Sequence, residues 1–182
     1  MNKSYIFNLA LTMSAISIVL FLLMAILGGG MFLNMGIGLT AIALMIIVPI
    51  IFLRRQRASA NGVLTFKEAF LTAFFGLAIS AVISTTFSYL YVNYIDTAYV
   101  DSMINQQLET TMKFMEGNVP EDKMVETLTE IETKTRDGFT LPGMLRNLGI
   151  YLAVYAVLSL ILAAIFKKQP EIVNASEDII DN

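Results

Sequence analysis

The chain is predicted to be an all-α membrane protein, with four transmembrane helices and an amphipathic two-helix hairpin inserted between helices 3 and 4. Three observations predict this. Four long stretches, Tyr5 to Leu27, Met31 to Leu53, Ala69 to Val92 and Leu148 to Phe166, are almost free of charge. Each is near the roughly 20 residues that a helix needs to cross about 30 Å of hydrocarbon. Hydrophobic residues are 56% of the 182-residue chain and mean hydropathy is +0.68, a balance suited to a surface that faces lipid. The remaining charge is sorted by sign between the stretches. One membrane domain over 1–168 is therefore expected, followed by a mobile acidic tail over 169–182.

The first stretch follows Lys3 and ends at Gly28, Gly29 and Gly30, features it shares with a secretory signal. A signal core is about 7 to 15 residues, whereas this stretch is long enough to span and runs almost directly into the second. It is read as a retained helix. Asn8, Thr12 and Asn34 are uncharged polar residues able to bond between helices. Pro49 is expected to kink the second helix near its end.

Arg54, Arg55, Arg57 and Lys67 face a single acid, Glu68, in the short connection before the third stretch. Positive charge in short loops is held on the cytoplasmic side. Alternation then places both termini on that side, where Lys3 begins the chain and Lys167 and Lys168 follow the last helix. Three basic flanks agree on one orientation, with both termini cytoplasmic.

Thr65-Phe66-Lys67-Glu68 is a capping box that opens the third helix. Within that helix Thr72, Gly76, Ser80, Ser84 and Ser88 recur every four residues and form one small, hydroxyl-rich stripe. Such a stripe lets a neighbouring helix approach closely. Alternatively, it lines a polar path, with Tyr151, Tyr155 and Ser159 at i,i+4 spacing on the fourth helix. Gly149, Ala153 and Ala156 beside them favour packing.

The insert, 94–143, carries ten acids against four bases. Val100, Met103, Ile104, Leu108, Met112 and Met115 fall on one face of a helix over about 98–116. Gly117 is expected to end it, with Asn118 in the cap region, Pro120 at the first position of the next helix and Glu121 and Asp122 in its first turn. That helix runs to about Arg136 with the stripe Met124, Leu128 and Ile131, while Glu130–Lys134 and Glu132–Arg136 make i,i+4 pairs. The stripes either pack on each other and on the bundle, or form a docking surface of Val100, Ile104, Leu108, Met115, Met124, Leu128 and Ile131. Such a surface would take a second copy of this chain or another membrane or envelope protein.

The aromatic residues sort by depth, Tyr5, Phe66 and Phe166 toward one face and Tyr89, Tyr91, Tyr94, Tyr99 and Phe139 toward the other. They are expected to be interface anchors. Arg146 is expected to snorkel to the outer interface. The tail sequence Asn174-Ala175-Ser176 matches a glycosylation acceptor but falls on the cytoplasmic side.

With no Cys and no His, thiol chemistry, disulfides, most zinc sites and His-activated nucleophiles are excluded. The spans contain no Asp, Glu or Lys to bind a coupling proton or cation. No cofactor and no metal site is expected, nor an enzyme, and the net charge of -3 does not suit nucleic acid. Partners reduce to the lipid bilayer and other membrane or envelope proteins. The functional reading is a structural or partner-interaction membrane protein whose hairpin is the contact surface; the alternative is a small transporter or channel formed by oligomerisation around the Thr72–Ser88 stripe.

Gly62-Val63-Leu64-Thr65-Phe66-Lys67-Glu68-Ala69-Phe70, followed by Ile95-Asp96-Thr97-Ala98-Tyr99 and a helical acidic insert, resembles the bacterial family called domain of unknown function 4199. The resemblance covers roughly residues 5 to 168. It implies a four-helix bacterial membrane protein and adds no site residue.

Overall fold

The computed structural model of the protein describes residues 3–27, 31–115 and 120–168, without the side chains of 31–34 and 121. The Gly28–Gly30 turn, the Asn34 side chain, the break at Gly117 and Asn118, and the tail 169–182 lie outside the described residues. The elements are, in order, α1 (Lys3–Leu27), α2 (Met31–Ser59), α3 (Phe66–Leu90), a π-helical turn (Tyr91–Ile95), α4 (Tyr99–Met115), α5 (Glu121–Gly138) and α6 (Leu141–Phe166). Four stretches, Lys3–Leu27, Met35–Ser59, Phe66–Ile95 and Leu141–Phe166, are long and apolar enough to cross a membrane.

The helices overrun the charge-free stretches. α2 continues through its arginines to Ser59, since Arg and Gln are good helix formers and nothing there stops the helix. α6 begins well before Leu148, because Thr140 accepts a hydrogen bond from Gly143 N at 3.2 Å and Pro142 lies in the first turn. Pro120 is the residue before α5 rather than its first, a shift of one position. The expected capping box is present: Thr65 Oγ1 accepts from Glu68 N at 3.3 Å, and Glu68 Oε2 accepts from Thr65 N at 3.4 Å. Pro49 is fully buried inside α2.

α3 is the central helix. α1 and α6 pack along it, α2 packs mainly on α1, α4 and α5 lie against each other, and α5 reaches α6. Small residues make this possible, for Ala69, Thr72, Ala73, Gly76, Ser80 and Ala81 are all buried on α3 and let neighbouring helices come close.

The core has three layers. Leu53, Leu64, Ala69, Ala73, Leu162, Ala163 and Phe166 form the one near the basic residues. Leu9, Met13, Val48 and Leu77 form the middle one. Val92, Tyr99 and Met144 form the third, toward α4 and α5.

Candidate functional site

The small-residue stripe of α3 divides into two parts with different surroundings. Thr72 is fully buried, and a Cβ built on Gly76 would lie 2.6 Å from Leu9 Cδ2. α1 therefore rests directly on the backbone of α3. Ser159 on α6 is also fully buried, and neither its Oγ nor Thr72 Oγ1 has a hydrogen-bond partner among the described residues. Here the stripe is a packing seam.

Toward α4 and α5 the helices part. Ser80, Ser84 and Ser88 line a cavity of about 500 Å³ together with Tyr151 and Tyr155, so five of the eight singled-out positions meet there. α3 supplies the floor, α1 adds Ser17 and Phe21, α6 adds Met144 and Asn147, and the roof is Met103 and Gln107 of α4 with Lys134 and Thr135 of α5. The Tyr151 and Tyr155 rings stack at 6.5 Å with 21° between their planes. Tyr151 is 49% exposed and Ser80 4%, so the cleft deepens from an open mouth at Tyr151 to a floor at Ser80. Ser84 Oγ is buried there without a partner, and a hydroxyl so placed is expected to be completed by water or a ligand. No carboxylate lines the cleft among the described residues, and Lys134 is its cation.

The roof is fastened by polar contacts between elements. Thr135 Oγ1 donates to Gln107 Oε1 at 3.0 Å. Arg136 pairs with Asp101 at 3.0 Å and with Glu132 at 3.4 Å, and the hydrogen bond it donates to Asp101, then that to Glu132, holds the guanidinium pKa above its ordinary value. Arg146 pairs with Asp137 at 2.7 Å, tying α6 to the end of α5. The expected Glu130–Lys134 pair is also present.

Several expected surface roles are corrected. Tyr99 is buried rather than peripheral, and with Tyr91 and Phe139, both half-buried, it forms an aromatic cluster around Phe21, with Phe21–Tyr91 at 5.3 Å, Phe21–Tyr99 at 5.4 Å and Tyr99–Phe139 at 5.9 Å. The π-helical turn, closed by Asp96 N to Tyr91 O at 2.9 Å, precedes α4 and directs Val92 inward while Tyr94 stays exposed. Burial first, then Tyr91 and Asp96, raises the pKa of the Tyr99 hydroxyl. Phe166 is buried in the core layer at the basic end. Gly149 and Ala153 are exposed, and a Cβ on Gly149 would meet nothing within 4 Å, so they do not pack within this chain.

The seven apolar residues proposed as a docking surface point largely into the molecule. Ile104 is buried, Val100 packs on the Val92–Tyr99–Met144 layer, and Leu108, Met115, Met124, Leu128 and Ile131 are half-buried. The exposed apolar residues of these helices include Met112 and Val125 instead.

The residues chosen for topology gather at the opposite end. Leu64 and Lys168 exchange backbone hydrogen bonds of 3.0 and 2.8 Å, which joins the α2–α3 connection to the end of α6. Tyr5 Oη donates to Ser59 Oγ at 3.0 Å, bringing the start of α1 to the end of α2. Arg57 Nε donates to Gly62 O at 3.1 Å, and Gly62 takes a positive φ of 80° that suits glycine. Arg54, Arg55, Arg57, Lys67, Lys167 and Lys168 thus share one end of the bundle.

Sequence reasoning did not find Ser17, Phe21, Gln107, Lys134 or Asn147 as part of one site. Ser17 and Phe21 carried a faint signal, since i,i+4 spacing puts a hydroxyl and a ring on one face of α1. The others lie on elements whose mutual placement depends on tertiary packing.

The family described as "Protein of unknown function (DUF4199)" matches residues 8–168. No curated protein and no solved structure matches the chain.

Proposed function

The chain belongs to the DUF4199 family, and from that premise we propose that it is a non-enzymatic membrane protein that binds a ligand in the cleft beneath its outer helical hairpin. The observation that carries this reading is the convergence of Ser80, Ser84, Ser88, Tyr151 and Tyr155 on a cavity of about 500 Å³, within the roughly 300–1,000 Å³ typical of small-molecule sites. Hydroxyls and stacked rings suit hydrogen bonding and contact. Lys134, the base at the cleft, pairs with Glu130 rather than with a cleft hydroxyl, so binding without chemistry is the simplest use of the site.

The hairpin of α4 and α5 acts as the roof of this site, which accounts for the inward turn of its apolar stripes. The bundle sits in a bacterial cytoplasmic membrane with the basic end and both termini cytoplasmic, following the positive-inside rule. The cleft then opens on the outer side. A transport path along the stripe would have to open the Leu9–Gly76 contact, which favours binding over conduction by one chain.

A panel of single cysteines in this Cys-free chain tests site and orientation together. With a small impermeant thiol reagent on intact cells, Ser84→Cys and Glu126→Cys are expected to be labelled. Thr72→Cys should resist, and Ser59→Cys should react only after permeabilisation. Labelling at 59 but not 126 would reverse the orientation, and an unreactive residue 84 would remove the cleft as an accessible site.

A further inference from the structure

Deepening the binding reading above, on which it rests, we propose that the cleft takes the anionic head of an acyl lipid at Lys134, its chain leaving past Tyr151 between α1 and α6. The first ground is charge. The insert that roofs the cleft carries ten acids against four bases, yet no carboxylate lines the cavity among the described residues and Lys134 does. The cleft thus offers an ammonium and no carboxylate of its own beneath an acidic insert. Among the described residues Lys134 pairs with Glu130, in an i,i+4 pair whose side chains are 75% and 58% exposed. Exposed pairs of this kind contribute little, so the ammonium can turn to an anion at small cost.

The second ground is the donor set. Asn147 and the hydroxyls of Ser84 and Ser88 surround the same space, and Ser84 Oγ has no partner among the described residues. Together with an ammonium they can donate several hydrogen bonds to the oxygens of a phosphate or carboxylate.

The third ground is the mouth. Tyr151 lies half exposed at the edge of the cleft beside exposed Ile150 and Val154, an apolar flank on a helix long enough to span a membrane. A ligand arriving there comes from lipid. A free anion arriving from water meets an insert that carries ten acids against four bases. The volume of about 500 Å³ also exceeds what a phosphate or carboxylate group needs alone, leaving room for part of a chain.

The chain contains no Trp, so Phe139→Trp, at the cleft wall, provides a single fluorescent reporter. The full-length protein is placed in nanodiscs containing bromine-labelled phosphatidylglycerol or bromine-labelled phosphatidylcholine at equal mole fractions. The anionic lipid is expected to quench about three- to fivefold more effectively, as befits one charge contact of modest strength. Lys134→Gln should abolish that preference and Lys134→Arg should retain it. In parallel, native mass spectrometry of the unsubstituted protein in a mixture of the two lipids should show retained phosphatidylglycerol, independently of how the Trp variant folds. Equal quenching by both lipids, or a preference unchanged in Lys134→Gln, overturns the assignment of the head while leaving the cleft as a binding site. Absence of quenching by either overturns the lipid assignment, and the cysteine panel then decides separately whether the cleft is accessible. Loss of the preference on adding inorganic phosphate would show that the site takes a free anion and overturn the lipid source.

Discussion

The carbonyl oxygen of Asp137 lies 1.9 Å from where a Cβ on Gly143 would be. The backbone at the end of α5 therefore lies directly on the first turn of α6. Phe139 N donates to Arg136 O, and Thr140 N to Asp137 O, so the corner closes within a few residues. Thr140 caps α6 and Arg146 reaches back to Asp137. This corner sets the height at which the roof stands over the cleft.

Gly143→Ala is consequently expected to disturb the roof, since the obstacle is backbone and cannot rotate away. Overpacking of this kind costs about 1–3 kcal/mol. The expected result is a lowered thermal midpoint with faster proteolysis within 94–143, while cleavage near the basic end is unchanged. Arg146→Ala, which removes only an exposed ion pair, should have a smaller effect, about 0–1 kcal/mol. Equal effects of the two would contradict the importance of the backbone contact.

The Leu9–Gly76 contact makes a second expectation. A methyl at residue 76 meets Leu9 from Cδ2 through Cγ to Cβ, so Gly76→Ala should destabilise the α1–α3 pair by about 1–3 kcal/mol unless Leu9 is shortened. Leu9→Ala alone should also cost stability by leaving a cavity. Combined, the two should cost less than their sum, because the added methyl fills space that Leu9 vacates. Strict additivity in a denaturation series would show that the residues do not share this contact.

Much of this architecture was legible in the chain. The length and lack of charge of the four stretches led to the long helices, Thr65 and Glu68 to the cap of α3, and the four-residue recurrence of Thr72 to Ser88 to a face that another helix meets. What was not legible depends on tertiary placement. The stripe has the same spacing throughout, yet at Gly76 it touches Leu9 and at Ser84 it faces open space, because a neighbour across the gap is no part of helical periodicity. Tyr99 looked like an anchor at a helix exit for the same reason; its burial comes from Phe21, far away in sequence. Gly143 carried a signal only in hindsight, as a glycine inside the first turn of a helix, where its low propensity calls for a packing reason.

The outer layer should respond to pH in defined windows. Glu109, hydrogen-bonded to Lys113 at 2.7 Å, has a lowered pKa, so its contribution is present above the ordinary carboxylate range and lost as pH falls through the folded value. Being fully exposed, it should give only a small acid effect, removed by Glu109→Gln. Tyr99 has a raised pKa because burial disfavours its phenolate. Its contribution is present below the ordinary phenol pKa of about 10 and is lost as pH rises through the folded value. Arg136 is raised from an already very basic value and adds nothing between neutral pH and the phenol range. A thermal midpoint measured against pH should thus be level near neutrality with respect to these groups, with an alkaline decline that Tyr99→Phe reduces. An unchanged alkaline limb in that variant would contradict the buried placement of the ring.

The buried hydroxyls separate packing from binding. Thr72 Oγ1 and Ser159 Oγ are buried without partners in the seam, whereas Ser84 Oγ is buried without a partner beside the cleft. An unpaired buried hydroxyl costs about 1–3 kcal/mol, and replacing it with an apolar group of the same shape is nearly neutral or stabilising. Thr72→Val and Ser159→Ala are therefore expected to leave the thermal midpoint unchanged or raise it, without affecting lipid retention in native mass spectrometry. Ser84→Ala should likewise preserve stability but reduce that retention, since the lost hydroxyl is a donor to the bound head. If Thr72→Val reduced retention as much as Ser84→Ala, the seam and the cleft would have to be one continuous site; if Ser84→Ala left retention unchanged, its hydroxyl would have no part in holding the ligand.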